Sequence, residues 1–598
     1  MTNADGQQTC EKNMRRNLSR LIAVFAIGLL LSLVLIFFIP DEILKMHPPA
    51  IVILLFKSHD IYFVGLCFLL LIWLRAEATW LRWLKIWSAK VFERPGQNRL
   101  IQLLIILATL TICVFGVHYV FEEYALSPDE FFVDFVAQSI AAGFLLTPLD
   151  PLWRDFASAL QPSFVQVSAG GNYWSPLWRP GNAMIVALFD LLGIHNLGHA
   201  VLTAGCLPLI AMLAKRFWPD YPSATILAML LLALSPQFML TGMTRYAMTS
   251  HLFFGLLWLV LFLRDTKMGH VGAALTGFFA VGIHHIHIHP LFVLPFMIGL
   301  LRDRRWTLSS FYAVWYSAAL LIWFFWRDIA ELIQRGDANS LSDLAYLSHA
   351  TTHYLTSHGI IDVLYWLVNI FRFLSWQSFA LIVLFTFGIA SIRKSNTAVR
   401  NLAWAIGLSI IPYLLLMPSQ GHGWGYRFLH PLLANFTLIA VHGWVCLRSR
   451  VSSEFRVQFA GGLCAATLLF AAVSFPARIN QAYNINHPFA TAAKYIRTLD
   501  TDIVLIDSKS IWFGNDFIRN DPLLRNRPKI MAADQLDDKS LAILCSNRDV
   551  ILIGFPELTT FGVDYIPALA EEEELRRRNL LERLKTKDCN PISVSSRG

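Results

Sequence analysis

Three carboxylates, Asp129, Glu130 and Asp134, stand together in "SPDEFFVDF", directly after one of the most apolar runs of the chain. An ionised carboxylate can take the proton from an acceptor hydroxyl, which is general-base work. The same residues can also start a helix. Ser127 reads as an N-cap, Pro128 as the first helical residue, and Glu130, three residues past Ser127, completes a capping box. The two readings are compatible, because one carboxylate can cap while its neighbour catalyses. Asp129 is the preferred base, since Glu130 is the better capping-box residue.

Cationic and hydrogen-bonding groups recur in other short stretches. "GIHHIHIHP" holds His284, His285, His287 and His289 at the junction of two apolar runs. If extended, His285, His287 and His289 point the same way, as a metal site needs. If helical, His285 and His289 share a face. Interfacial histidines, an anion site and a metal site all remain open for this cluster. "GHGWGYRFLHP" combines Gly421, Gly423 and Gly425 with His422, Arg427 and His430. Its glycines let backbone approach a ligand closely, and the forked guanidinium of Arg427 can clamp a phosphate or snorkel at an interface. "GMTRYAMTSH" adds Arg245.

The chain lacks G-x-x-x-x-G-K-[ST], a strand-linked G-x-G-x-x-G, H-E-x-x-H and a nucleophile elbow. ATP-driven transport, dinucleotide chemistry and the common hydrolase mechanisms lose support accordingly.

The elements that must position these groups are membrane helices. Of 598 residues, 56% are hydrophobic and 15% charged, with a mean hydropathy of +0.51. Soluble domains carry about 25% charged residues. Spans of about 20 apolar residues are expected near 21–39, 50–74, 100–121, 198–214, 223–241, 247–263, 269–284, 289–302, 308–326, 370–392, 400–417, 428–447 and 456–475. The fold class expected is a polytopic α-helical membrane protein of about 13 spans. Lys and Arg gather in alternate connections, which the positive-inside rule assigns to the cytoplasm. The same bias accounts for the net charge of +8 without nucleic acid. The N-terminus is then cytoplasmic, and the acidic stretch, the histidines, the glycine loop and the C-terminus face outside. A short apolar run near 182–194 reads as an interfacial helix. Lys57, His59 and Asp60 interrupt the second span and are candidates for a midplane transport site.

From about 476 the character changes. "DIVLID", "PKIMAA" and "DVILIG" alternate with helical stretches, as in a small soluble α/β domain. The division expected is residues 1–475 as a transmembrane catalytic domain, with a large outer loop at about 122–197, and residues 476–598 as an extracytoplasmic α/β domain.

This layout resembles the GT-C glycosyltransferases, most closely the bacterial aminoarabinose and protein O-mannosyl transferase group. Asp129-Glu130 holds the place of an acidic pair in the first outer loop. "HIHPLFVLP" stands where the aminoarabinose group has a lysine segment, so His289 would replace the lysine. "GYRFLHPLL" matches a late arginine segment through Arg427, and Leu231 to Met248 fits a pattern that ends a span. Two spans precede the acidic loop beyond the one of the compared transferases. The resemblance implies an integral membrane glycosyltransferase, in a bacterial inner membrane, that takes a sugar from a polyprenyl-phosphate donor. The acceptor would be an extracytoplasmic lipid, glycan or protein. It implies Asp129 and Glu130 as catalytic residues, and Arg245, His285, His289 and Arg427 as phosphate-binding. It names no certain cofactor, and a divalent metal is an option. The chemistry agrees: a carboxylate activates the acceptor, and arginine or histidine stabilises the leaving phosphate.

The rival readings are a lipid-linked glycan transporter or flippase, which needs ionisable groups within spans, and a polysaccharide polymerase or ligase. Cys545 and Cys589 are the two cysteines of the C-terminal region. A disulfide between them would pin the last helix to the α/β core.

Overall fold

The computed structural model describes residues 3–39, 51–76, 98–335 and 360–586, apart from positions 169, 418, 512, 547 and 564–569. A helix occupies each of the thirteen places where a span is expected. Among the described residues, eight helices are long and apolar enough to cross a membrane, or ten if two sharply bent pairs each count as one span. The expected thirteen is therefore not reached by length. Ala247–Leu263, Lys267–Val281 and Ile288–Arg302 have 17, 15 and 15 residues. At 1.5 Å per residue they run roughly 22–26 Å, short of a hydrocarbon core of about 30 Å. Large apolar side chains such as Ile27, Leu30, Phe115, Val314 and Leu468 face outward along the helices, as a lipid-facing surface requires.

The two bent pairs interlock. Ser223–Ala233 meets Pro236–Gly242 at 66°, and Asp362–Ser375 meets Phe379–Ala390 at 111°. The expected single span at 370–392 is therefore corrected to two helices around a corner. Ser235 caps the first elbow by accepting from the Phe238 N–H. Its hydroxyl donates to Gln377 Oε1 at 2.9 Å, Gln377 Nε2 donates to Gln237 Oε1 at 2.8 Å, and Ser378 Oγ donates to the Leu231 carbonyl at 3.0 Å. The polar groups freed by one bend satisfy those of the other.

Asp60 is fully buried and is not a free transport carboxylate. Arg372 Nε lies 2.9 Å and Arg478 Nη1 2.5 Å from its oxygens, and Trp376 Nε1 donates to it at 2.8 Å. The Arg478 guanidinium lies 4.1 Å from the ring centres of both Phe63 and Trp376. Lys57 donates from Nζ to the Ile39 carbonyl at 2.6 Å.

The region after 476 is built on a three-stranded parallel sheet, with Ile503–Ile506 between Lys529–Ala532 and Val550–Ile553. Side-chain alternation sends Ile503, Leu505, Met531 and Leu552 into one core, with Phe132, Phe135, Trp153 and Trp174 of the 122–197 stretch. Val504, Ile506, Ile530 and Ile551 enter the other, against Ala492, Ala493 and Ile496. Those last three belong to Ser453–Thr498, a single helix of 46 residues that runs through the expected boundary at 476. Pro476 and Pro488 both lie inside it. At roughly 69 Å, it is too long to be contained in a bilayer. The short run at 182–194 is the helix Gly181–Leu191. Beside it, Thr147–Pro148, Tyr173–Pro176 and Val165–Val167 form a small antiparallel sheet. Cys545 is held in a disulfide. Cys589 lies outside the described residues, and with it the expected pairing.

Candidate active site

Pro128–Ala141 begins as the sequence suggests. Ser127 accepts from the Glu130 N–H at 3.4 Å, and Pro128 occupies the first turn. The Glu130 carboxylate does more than cap. It receives the Ser127 hydroxyl at 3.3 Å, and its Oε2 takes the backbone N–H of Arg245 at 3.2 Å. Burial pushes Glu130 up to about 7, against the pull of the Arg245 N–H.

Asp129 points the other way, to Arg427. Arg427 Nη1 lies 2.5 Å from Asp129 Oδ2, and both side chains are mostly buried. Burial alone would raise the Asp129 carboxyl. The Arg427 guanidinium, with His284 and His422 nearby, more than offsets it and holds Asp129 below the usual carboxylate range. Asp129 is therefore an ionised carboxylate held in a pair.

Arg427 is delivered by a loop folded back on itself. Gln420 accepts the Arg427 N–H at 2.6 Å and donates to the Gly425 carbonyl at 2.7 Å. Gly425 has a φ of 70°, and a Cβ there would sit 2.6 Å from the Gln237 side chain. Gln237, anchored in the interlocked elbows, donates to the Tyr426 carbonyl at 2.8 Å. Arg372 of the Asp60 cluster donates from Nη2 to the Gly423 carbonyl at 2.9 Å. Tyr246 lies under the Arg427 guanidinium, 5.3 Å from ring centre to Cζ, and its hydroxyl is 3.0 Å from His422 Nδ1.

Arg245 is held by its surroundings. Its Nη1 pairs with Asp134 at 2.6 Å, and its Nη2 donates to the Glu123 carbonyl at 3.3 Å and to Asn196 Oδ1. Asn182 donates to the Arg245 carbonyl at 2.9 Å, while its Oδ1 takes Ser250 Oγ at 2.6 Å and lies 3.0 Å from His199 Nε2. The guanidinium expected to bind phosphate is thus engaged by three protein oxygens. Burial raises Asp134 to about 6, although Arg245 and Arg519 pull it down.

The histidines divide. The start of Gly181–Leu191 donates from Gly181 and Asn182 to the carbonyls of Gly282 and Ile283 at 2.9 and 3.1 Å. A Cβ at Gly181 would lie 2.5 Å from the Gly282 oxygen, so glycine permits this docking. It sets His284 and His285 against Trp178, with ring centres 5.2 and 5.1 Å away. His285 stacks on His287 at 5.5 Å. His289 turns to Tyr316, with Nε2 3.0 Å from the hydroxyl, and packs on Trp258 and Phe292 with ring centres 5.9 Å away in each case. Burial lowers His284 to about 4 and puts His285 well below its ordinary value. Neutral imidazoles offer an N–H donor but no charge. Among the described residues, no three of His, Cys, Asp and Glu form a metal-holding group.

One contribution escaped sequence reasoning. Arg519, from the C-terminal region, lies over the rings of Tyr124 and Phe131 at 4.0 and 5.0 Å and donates to the Leu126 carbonyl at 3.3 Å. Asp516, just before it, is raised to about 7 by burial, with Arg519 opposing and Asp129 adding to the rise. No motif in "FGNDFIRND" ties it to a carboxylate almost 400 positions earlier.

No family model matches the chain, and no curated protein does. Two of the solved structures it resembles are of ArnT from Cupriavidus metallidurans. The apo crystal structure is 12% identical and covers 78% of this chain and 94% of its own, with a TM-score of 0.47. The crystal structure bound to undecaprenyl phosphate is 14% identical and covers 77% and 87%, with a TM-score of 0.46.

Proposed function

We propose that this chain is an integral membrane glycosyltransferase that moves a sugar from a polyprenyl-phosphate donor to a lipid, glycan or protein acceptor outside the cytoplasm. The supporting observation is the Asp129–Arg427 pair. A base and a phosphate-binding cation are held together, mostly buried, where a spanning helix meets a non-spanning one. Before the donor arrives, Arg427 neutralises Asp129. A donor phosphate that draws Arg427 to itself leaves Asp129 an unpaired carboxylate and so a stronger base. Asp129 then takes the proton of the acceptor hydroxyl, whose oxygen bonds to the anomeric carbon. The bond from that carbon to the phosphate oxygen breaks, and its electron pair leaves with the phosphate, held by Arg427. His284 and His422, beside Asp129, supply neutral N–H donors. Glu130 keeps the helix start and the Arg245 backbone in place.

The orientation belongs to the same reading: thirteen crossings, a cytoplasmic N-terminus and a C-terminal region on the periplasmic side of a bacterial inner membrane, from the phase of the basic loops. The transport reading leaned on Lys57, His59 and Asp60; two arginines and a tryptophan engage Asp60, Lys57 donates to the Ile39 carbonyl, and His59 Nδ1 lies 2.7 Å from Ser58 Oγ. Purified protein supplied with labelled polyprenyl-phosphate sugars and candidate acceptors tests the proposal. Label moving to an acceptor in wild type but not in Asp129→Asn supports it. Label that stays on every donor, or moves equally in both proteins, overturns it.

A further inference from the structure

A cavity of about 350 Å³ lies at the opposite end of the bundle, between Ser453–Thr498 and the helices Ser223–Ala233, Phe379–Ala390 and Leu433–Arg448. Leu227, Leu231, Leu384, Ala460 and Leu463 are among its walls. Two lining residues are cationic, and they sit together at one end. Arg448 Nη1 donates to Ser223 Oγ at 3.4 Å, and Arg456 Nη1 donates to the Arg448 carbonyl at 3.5 Å. Leu468, 52% exposed, lies on its outer edge.

The dimensions select an occupant. From Ser223 to Leu234, and from Arg456 to Leu468, the lining runs eleven and twelve residues along helices, or roughly 16–18 Å. That is the hydrocarbon depth of one leaflet, about half of 30 Å. The cavity opens to the outside at its Leu468 edge, and walls this apolar favour a hydrocarbon occupant over water. The continuous segment Arg427–Arg448 has 22 residues, roughly 33 Å, so Arg427 and Arg448 lie at opposite membrane surfaces.

We infer that this cavity binds one acyl chain of an anionic phospholipid, whose phosphate pairs with Arg448 and Arg456. The inference does not depend on the proposed transfer activity. Cys464, a free and half-buried thiol, lines the cavity, whereas the free thiol Cys446 does not. Full-length protein stripped of lipid in detergent is alkylated with a lipophilic maleimide, and each cysteine is followed by peptide mass spectrometry. Phosphatidylglycerol is expected to slow labelling of Cys464 about tenfold and to leave Cys446 unchanged. Arg448→Gln combined with Arg456→Gln should require about tenfold more lipid for the same protection, the size of a lost charge-assisted contact. No protection, equal protection by phosphatidylcholine, or stronger protection by a polyprenyl phosphate overturns the inference. Should the double variant fail to fold, the comparison of the three lipids on wild type decides alone.

Discussion

Arg427 Nη1 and Asp129 Oδ2 lie 2.5 Å apart, joined across 298 positions of chain. Neither residue is exposed enough for the pair to be a casual surface contact. The cation and the carboxylate hold each other ionised, oriented and largely shielded from water.

Asp129→Asn is expected to lower sugar transfer by about 10²–10⁴-fold, the usual cost of a missing general base, with an unchanged helical circular dichroism signal. Near-full activity in Asp129→Asn, together with loss in Glu130→Gln or Asp134→Asn, would move the base to another carboxylate.

Arg427→Ala should weaken donor use more than acceptor use, and Arg427→Lys should recover little, because a point charge does not replace a planar fork. Steady-state kinetics with each substrate varied in turn separate the two. A donor dependence equal to wild type in Arg427→Ala contradicts the assignment.

Glu130 connects stability to pH. Its folded-state value is raised from 4.5 to about 7, so the folded chain disfavours the ionised form. The contribution to stability is complete below about 4.5 and declines as pH rises through about 7. Glu130→Gln, neutral throughout, should therefore gain thermal stability over wild type near pH 8 and gain nothing near pH 4. The gain is on the order of 3 kcal/mol. A difference that does not change with pH would exclude titration of Glu130 as its source.

Asp60→Asn leaves two buried guanidinium groups without their shared anion. Removing one partner of a buried ion pair costs roughly 3–5 kcal/mol. The variant should unfold at lower temperature, and donor use should weaken too, because Arg372 also holds the Gly423 carbonyl of the Arg427 loop. A thermal midpoint equal to wild type would show that the cluster does not stabilise the bundle.

A reporter active only outside the cytoplasm, fused after Gly598, should be active. Reporter activity confined to the cytoplasm would reverse the orientation and place the Asp129–Arg427 pair on the wrong side for an extracytoplasmic acceptor.

Much of the helical framework is legible in the sequence because bilayer helices declare themselves by apolar length. The start of Pro128–Ala141 is legible too, since Ser127 and Pro128 act within one turn. The elbows are not. Trp376 to Ser378 sit in a run apolar enough for a straight span, and their bend depends on partners at Leu231, Ser235 and Gln237. The continuity of the last helix is not legible either: the apolar run ends near 475, yet the helix continues past Pro476 on its buried side through Arg478, Gln481 and Asn486. Asp129, Glu130, Arg245 and Arg427 each drew attention by type and place. Which cation meets which carboxylate is decided by packing between helices far apart in the chain, and spacing carries no trace of it.

The two-sided burial of the parallel sheet governs how the molecule can be taken apart. A change of composition at 476 invites a cut there, as at a linker. Such a cut would sever a helix in mid-course. It would also strip Ile503, Leu505, Met531 and Leu552 of the Phe132, Phe135 and Trp174 surface that covers them. The released piece would keep its strands and lose one of its two walls, leaving an apolar face open to water. Such a face promotes aggregation. The C-terminal fifth of the chain, although polar in composition, shares its core with the 122–197 stretch and belongs in the same preparation as that stretch.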